Sequence, residues 1–181
     1  MIILGLDPSL SSSGYAFIEV DEDKLENFEP VFVDGLFDKE KDYKPKLLDY
    51  GVIETDSNNG LCERNYYQRK EMKLLIAEHE PDLISCEDQF GYLNTGTLKK
   101  LSHIRGNFMT LAEEFSVPFY IYSPRGVKKI VTGSGNAKKK EVVKSINDYY
   151  GLDLNKSQDN EADAIALALS YLIKEKKAKK I

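Results

Sequence analysis

Cysteine is scarce in this sequence, and its two copies, Cys62 and Cys86, stand far apart with no CxxC or Cys/His spacing around them. That excludes a disulfide framework or a zinc site as the basis of the fold and points to reduced thiols in a cytosolic protein. Long apolar runs are missing as well. No stretch approaches the ~18 residues of a membrane span, so no membrane partner is expected. The opening segment, Met1 to Asp7, is apolar but short, with no basic leader and no small-residue cleavage site. It reads as a strand rather than a signal peptide. There is no internal repeat and no low-complexity linker. The 181 residues suit one domain with a single core. Net positive charge is also lacking: the balance is −5 and the pI about 5.2. Taken as a total, this argues against nucleic acid, because DNA-binding surfaces are usually basic.

The distribution of charge reverses that first impression. Acidic residues concentrate between Asp21 and Asp42. The segment from Arg125 to Lys144 carries Arg125, Lys128, Lys129, Lys138, Lys139, Lys140 and Lys144 against one acid, Glu141. A second basic run, from Lys174 to Lys180, lies near the C-terminus. Local field governs binding more than the total does, although a lysine run is also the ordinary dress of a solvated helix face.

Hydrophobic periodicity predicts strands over 2–7, 14–20 and 47–55, then a helix over 63–78 with Tyr67, Met72, Leu75 and Ile76 at near-helical spacing. A short strand over 83–86 follows. A long helix over 95–115 has Leu98, Leu101, Ile104, Phe108, Leu111 and Phe115 on one face, which suits either the core or a subunit interface. A strand over 119–122 precedes Ser123-Pro124, a helix opening with Ser as N-cap and Pro in the first turn. Two helices, 137–150 and 161–174, end the chain. An extra hairpin is expected around 30–37. Three antiparallel strands followed by βαβ units give an α/β fold: a mixed five-stranded sheet with helices on both faces.

Three acids stand at element ends. Asp7 closes the first strand, Glu87 follows the fourth, and Asp163 opens the last helix. Each has a plain reading alone. Asp7 before Pro8-Ser9 is a turn former, Glu87 a strand-end acid, and Asp163 a third-position acid favoured by the helix dipole with Asn160 as N-cap. If the first and fourth strands lie side by side with the last helix near their ends, the three converge. Carboxylates about 5 Å apart repel by roughly 3 kcal/mol per pair at an effective dielectric near 20. A divalent cation offsets that repulsion, and oxygen-only ligands select Mg²⁺ or Mn²⁺.

Five blocks occur in order: Ile3-Leu-Gly-Leu-Asp-Pro-Ser-Leu-Ser-Ser-Ser-Gly-Tyr, Ile84-Ser-Cys-Glu-Asp-Gln-Phe, Leu101-Ser-His-Ile-Arg-Gly, the basic run from Ser123 to Lys140, and Glu161-Ala-Asp-Ala-Ile-Ala-Leu-Ala. Together they resemble the RuvC-type Holliday junction resolvases of the RNase H-like superfamily. The resemblance spans residues 3 to 173 and leaves out about 20–60. It implies one RNase H-like nuclease domain over 1–181 with an acidic insertion around 21–45. It implies that Asp7, Glu87 and Asp163 hold two Mg²⁺ ions (Mn²⁺ substituting) about 4 Å apart, and that Lys128 and Lys139 touch or neutralise the scissile phosphate. Phe90 matches an aromatic that stacks on unpaired bases, and Arg105, Arg125, Lys129, Lys138 and Lys140 fall on the DNA side. The implied substrate is branched DNA, a four-way junction nicked in pairs by a homodimer to leave 5′-phosphate and 3′-hydroxyl ends.

Two departures stand out. The last block of the family has Asp three residues before its final Asp, and here that position is Asn160. Asn160 brings a carbonyl oxygen without charge, and the neighbouring Asp159 is the other candidate for a fourth ligand. Glu161 faces elsewhere on a regular helix. The second departure, the acidic insertion, is expected to lie away from DNA. With the loose match it suggests a phage or mobile-element version acting in a host cytoplasm. Competing readings are a non-catalytic junction binder, in which Asn160 marks a lost metal site, and another RNase H-like nuclease acting on RNA–DNA hybrid or flaps. Sugar kinases and actin-like ATPases open similarly but need a second such domain, which this length excludes.

Overall fold

The computed structural model describes residues 1–27, 32–33, 36–37, 43–88, 95–174 and 179–180. Strands β1 (Ile2–Asp7) and β2 (Ser12–Glu19) form an antiparallel hairpin that sets Asp7 opposite Gly14. A 3-10 helix, Glu22–Asn27, and a two-residue pair, β3 (Phe32–Val33) with β4 (Leu36–Phe37), follow. That pair is the hairpin expected in the insertion. Strand β5 (Lys46–Glu54) adds to β2 antiparallel. Then come α1 (Leu61–His79), β6 (Leu83–Glu87), α2 (Thr95–Glu114) and β7 (Phe119–Tyr122). Helices α3 (Pro124–Thr132), α4 (Lys139–Tyr150) and α5 (Asp159–Lys174) complete the domain, with β8 (Lys179–Lys180) at the end.

The main sheet runs β5-β2-β1-β6-β7-β8. Strand β6 is parallel to both β1 and β7, as right-handed helical crossovers require. The first five strands of that order are the mixed sheet expected from the sequence. β8, a two-residue antiparallel addition beside β7, lies in the terminal lysine run read as a basic patch.

Alternate residues of each strand face opposite sides, and the core is accordingly double. Ile3, Ile18, Val127, Ile146, Ile165 and Leu169 pack on the side of α3, α4 and α5. Leu4, Leu6, Phe17, Met72, Ile104 and Phe108 pack on the side of α1 and α2. The apolar face of α2 is therefore core at Ile104, Phe108 and Leu111, which are at most 1% exposed. Leu98, Leu101 and Phe115 of the same face are only partly buried. Ser123 caps α3 by accepting from the Gly126 N–H at 3.2 Å, as its sequence predicts. The lone acid of the basic segment has a similar task, its carboxylate accepting from the Lys138 N–H at 2.6 Å to open α4.

Helix α5 sits closest to the sheet, and two glycines allow it. A Cβ on Gly5 would lie 2.0 Å from the Ala164 carbonyl oxygen and 2.7 Å from the Ala168 nitrogen. A Cβ on Gly14 would lie 2.2 Å from the Asn160 carbonyl oxygen. The helix backbone thus rests directly on β1 and β2, and its alanines Ala162, Ala164, Ala166 and Ala168 are fully buried around it.

Beyond the core, β4 lies against α4 and α3, the helices that carry the basic segment. The chain leaves the insertion where the Lys44 Nζ lies 4.8 Å from the Tyr150 ring, at the far end of α4. No helix among the described residues is long and apolar enough to cross a membrane.

Gly5→Ala is expected to destabilise the domain by about 1–3 kcal/mol, because β1 and α5 must separate to admit the methyl group. Urea unfolding with an unchanged m-value measures it. A variant as stable as the parent would mean that the helix moves aside freely.

Candidate active site

Leu6 of β1 pairs with Cys86 of β6 in parallel register. The next residue of each strand, Asp7 and Glu87, therefore emerges at the same sheet end. α5 begins at Asp159, with the Gln158 carbonyl accepting from the Ala162 N–H at 3.3 Å. Asn160 is therefore inside the first turn and not the N-cap. Asp163 lies in the second turn, beyond the third position that the helix-dipole reading required. What places Asp163 is tertiary: its neighbour Ala164 sits over Gly5, beside the strand that ends in Asp7.

The three carboxyls share one poorly solvated site. Burial, and then the charge of Asp163, pushes Asp7 up to about 7, against the opposing pull of Lys139. Burial, and then the charges of Asp7 and Asp163, pushes Glu87 up to about 8, with Lys128 and Lys139 opposing. Burial raises Asp163 to about 6, offset in part by Lys139 and Lys128. Lys139 is the cation nearest these acids among the described contacts: its Nζ lies 2.6 Å from Asp159 Oδ2 and 3.9 Å from Asp163 Oδ2. Partial burial works against its charge, but the hydrogen bond to Asp159 and the fields of Asp163, Asp159 and Asp7 outweigh this and raise its pKa. Among the described residues, no three acidic, His or Cys side chains are closed around a common point. A hard divalent cation is the species that would offset the repulsion among these acids. The donor set, carboxylates without sulfur or imidazole, fits Mg²⁺ or Mn²⁺.

The structure thus brings Asp7, Glu87, Asp163, Asp159, Lys128 and Lys139 into one electrostatic unit. Asn160 is turned elsewhere: its Nδ2 donates to the Ser12 carbonyl at 3.0 Å, tying α5 to β2. Of the two candidates for a fourth ligand, Asp159 therefore lies with the acids and Asn160 serves as a tether. Arg105 is paired with Asp88 at 3.0 Å, bracing the residue after Glu87. The Arg125 guanidinium donates to Asn136 Oδ1 at 3.1 Å. Lys129, Lys138 and Lys140 are exposed on α3, α4 and the turn before it. Phe90 lies outside the described residues.

Sequence reasoning missed two residues on α1. It placed Tyr67 on the apolar face, but Tyr67 is 45% exposed and Gln68 is fully buried. Arg64 lies one turn earlier and donates from Nε to Thr55 Oγ1 at 2.9 Å and from its terminal nitrogen to Ser11 Oγ at 3.0 Å. The available signal was a polar residue four places before Met72 on the stripe that continues to Ile76.

A mixed sheet with acids gathered at the ends of two adjacent parallel strands and on the last helix defines the RNase H-like class. The family model described as crossover junction endodeoxyribonuclease RuvC matches residues 35–171. Crossover junction endodeoxyribonuclease RuvC of Prochlorococcus marinus is 33% identical over 97% of this chain and 100% of its own length. The enzyme of the same description from Brachyspira hyodysenteriae is 32% identical over 94% of this chain and 93% of its own. A structure of Thermus thermophilus RuvC in complex with Holliday junction substrate superposes with a TM-score of 0.80 at 25% identity, covering 100% of this chain and 99% of that one. The chain belongs to the RuvC family of crossover junction endodeoxyribonucleases.

The raised carboxyls predict a pH-dependent stability in metal-free buffer. Unfolded carboxyls ionise near pH 4, whereas these ionise at about 6 to 8 when folded. The native state therefore holds the extra protons between those limits, and stability falls as pH rises through the window. Asp7→Asn or Glu87→Gln should raise the stability of the metal-free protein by about 1–3 kcal/mol at pH 8, with the gain shrinking toward pH 4. Thermal melts in EDTA across this range check it, and an equal effect at both ends would remove titration as the cause.

A second outcome concerns the tether. Asn160→Asp replaces a donor with an acceptor facing the Ser12 carbonyl. It should destabilise the metal-free protein by about 1–2 kcal/mol, read by urea unfolding. A variant as stable as the parent would mean that the Ser12 bond does not hold α5 to β2.

Proposed function

We propose that this protein is a metal-dependent endodeoxyribonuclease that resolves Holliday junctions, with Asp7, Glu87 and Asp163 holding Mg²⁺ and Asp159 supporting them. The observation that carries the reading is the buried acid cluster, assembled from three elements and flanked by Lys128 and Lys139, in a chain that belongs to this family. The donor set suits two ions per site, with Mn²⁺ able to replace Mg²⁺. When bound, the metal supplies a polarised water for attack on a phosphodiester and neutralises charge on the leaving oxygen.

The chain's own residues do the rest. Asp7 and Glu87 stand at the ends of adjacent strands, which sets the backbone of both ligand positions at one sheet end. Lys139 is held over the acids by Asp159 and Asp163, and Lys128 adds a second positive charge on the same side. Together they attract a phosphate to a site whose own acids repel it. Lys129, Lys138, Lys140 and Arg125 extend that field along α3, α4 and the turn between them, so the DNA backbone tracks this surface despite the net charge of −5. Arg105 keeps its place beside Glu87 through Asp88, and Phe90 is the candidate to stack on an unpaired base at the branch point. Two copies related by a two-fold axis match the symmetry of a four-way junction and make the paired nicks, leaving 5′-phosphate and 3′-hydroxyl ends. Its place of action is the cytoplasm, where the DNA lies.

The deciding experiment is cleavage of a synthetic four-way junction in Mg²⁺ or Mn²⁺. Wild type should introduce symmetric nicks. Asp7→Asn should lose about 10³-fold in single-turnover rate, as removal of several kcal/mol of charge stabilisation implies, while still binding the junction. Binding should weaken steeply between low and moderate salt. A wild-type protein that binds the junction and never cuts it in either metal would overturn the nuclease reading.

A further inference from the structure

The turn that follows Asp7 is gripped from behind by a buried amide. Gln68 of α1 is fully buried, and every hydrogen-bonding group of its side chain is used on residues 9–13. Its Nε2 donates to the Ser9 carbonyl at 2.6 Å and to the Leu10 carbonyl at 2.9 Å. Its Oε1 accepts from the Ser13 hydroxyl. That hydroxyl in turn accepts from the Ser9 N–H at 3.0 Å and lies 2.8 Å from the Ser9 carbonyl. Two carbonyls facing one side-chain terminus demand its NH₂, and one hydroxyl proton demands its oxygen, so only an amide satisfies all three. The surroundings reinforce the grip. The Thr55 hydroxyl donates to the Leu10 carbonyl at 2.6 Å, and the Arg64 guanidinium reaches the same oxygen at 3.2 Å.

We infer that Gln68 is a positioning residue for Asp7: it fixes the turn of residues 9–13 and through it the direction of the Asp7 carboxylate toward a bound divalent cation. The inference rests on the reading of Asp7 as a metal ligand. Its physical basis is the arrangement of supports. Asp7 lies at the last position of β1 and has lost the strand's continuity beyond it. On one face the turn is held by α1, and on the other by the Asn160 bond to Ser12. Helix α1 contributes none of the acids that raise Asp7, and its buried glutamine reaches the site only through this turn. An apolar side chain of the same length would pack in its place and leave Asp7 free to swing. Oxygen ligands that swing bind a hard cation more weakly, and loss of such a supporting partner typically lowers metal affinity by about 10- to 100-fold.

Gln68→Met keeps the volume and removes the three bonds. The Ser9 carbonyl retains the Ser13 hydroxyl and the Leu10 carbonyl retains Thr55 and Arg64, so the variant should fold with a lowered Tm. Mn²⁺ affinity is measured without DNA, from the electron paramagnetic resonance of free Mn²⁺, on wild type, Gln68→Met, Asp7→Asn and Ile76→Val. The last is a core control on the same helix. Gln68→Met should weaken Mn²⁺ binding about 10-fold and shift the Mn²⁺ dependence of junction cleavage to the same extent, while metal-free junction affinity stays within about 2-fold. Ile76→Val should lower Tm without moving the Mn²⁺ curve. If Gln68→Met binds Mn²⁺ as wild type does while Asp7→Asn does not, Gln68 is merely structural and the inference is overturned. If Asp7→Asn itself binds Mn²⁺ normally, the ligand assignment fails and the inference falls with it, a result distinguishable because it appears in the Asp7 variant. Should Gln68→Met not fold, Ser13→Ala removes one of the three bonds between Gln68 and the turn; Mn²⁺ binding should then weaken by less than about 10-fold, and binding equal to wild type would overturn the inference.

Discussion

Direct contact between the backbone of α5 and the central strands is the constraint on which the site depends. Helices usually stand off a sheet by the length of their side chains. Here Gly5 and Gly14 remove the side chains of the sheet and alanines thin those of the helix, so the two backbones meet. The outcome is positional. A helix that close carries Asp163 to the ends of β1 and β6, where Asp7 and Glu87 already stand. The same approach lets Asn160 reach the Ser12 carbonyl and lock the two layers together at the site end. A stand-off larger by one methyl group would move Asp163 outward and dilute the field that makes the cluster a cation site.

That field is a form of stored tension. Three acids are held where water solvates them poorly; Asp163 raises the proton affinity of Asp7, and Asp7 and Asp163 together raise that of Glu87. The domain tolerates this because its two hydrophobic layers, each with several fully buried large side chains, supply stability elsewhere. Lys139 and Lys128 relieve only part of the repulsion. The remainder is what a divalent cation would offset, so on the proposed reading an arrangement unfavourable to the metal-free fold is the one that would select the metal. The same lysines, continued by the exposed basic residues of α3 and α4, explain how an acidic protein can present a surface suited to DNA. Charge is segregated, with the acids of the insertion on one part of the chain and the bases around the site.

Much of this was legible before any fold was known. β1 and β7 were read with the observed ends, and β2, β5, β6, α1, α2, α4 and α5 with ends within two residues of them, because apolar periodicity is a local signal; the 3-10 helix and β8 were not read at all. Asp7 and Glu87 were legible because each follows an apolar run that could only be a strand. Gln68 was not. Its partners Ser9, Leu10 and Ser13 lie more than fifty residues away, and a glutamine beside two tyrosines looks like a surface residue until the helix is rotated against the sheet. Tyr67 was misplaced for the same reason: a one-residue turn of a helix is 100°, and only packing against α2 and β2 chose the side.

The local order of the chain, then, determined the elements, the αβ alternation and the set of acids, since these follow from propensity, periodicity and residue chemistry. The tertiary structure decided which of two neighbouring residues joins the site. Asp159 turns toward Lys139 and Asp163, whereas Asn160 turns toward β2. It also decided that Ile104, Phe108 and Leu111 of α2 are core. Adjacent residues on a helix point 100° apart, and nothing within the chain's local order says which of those directions the sheet will occupy.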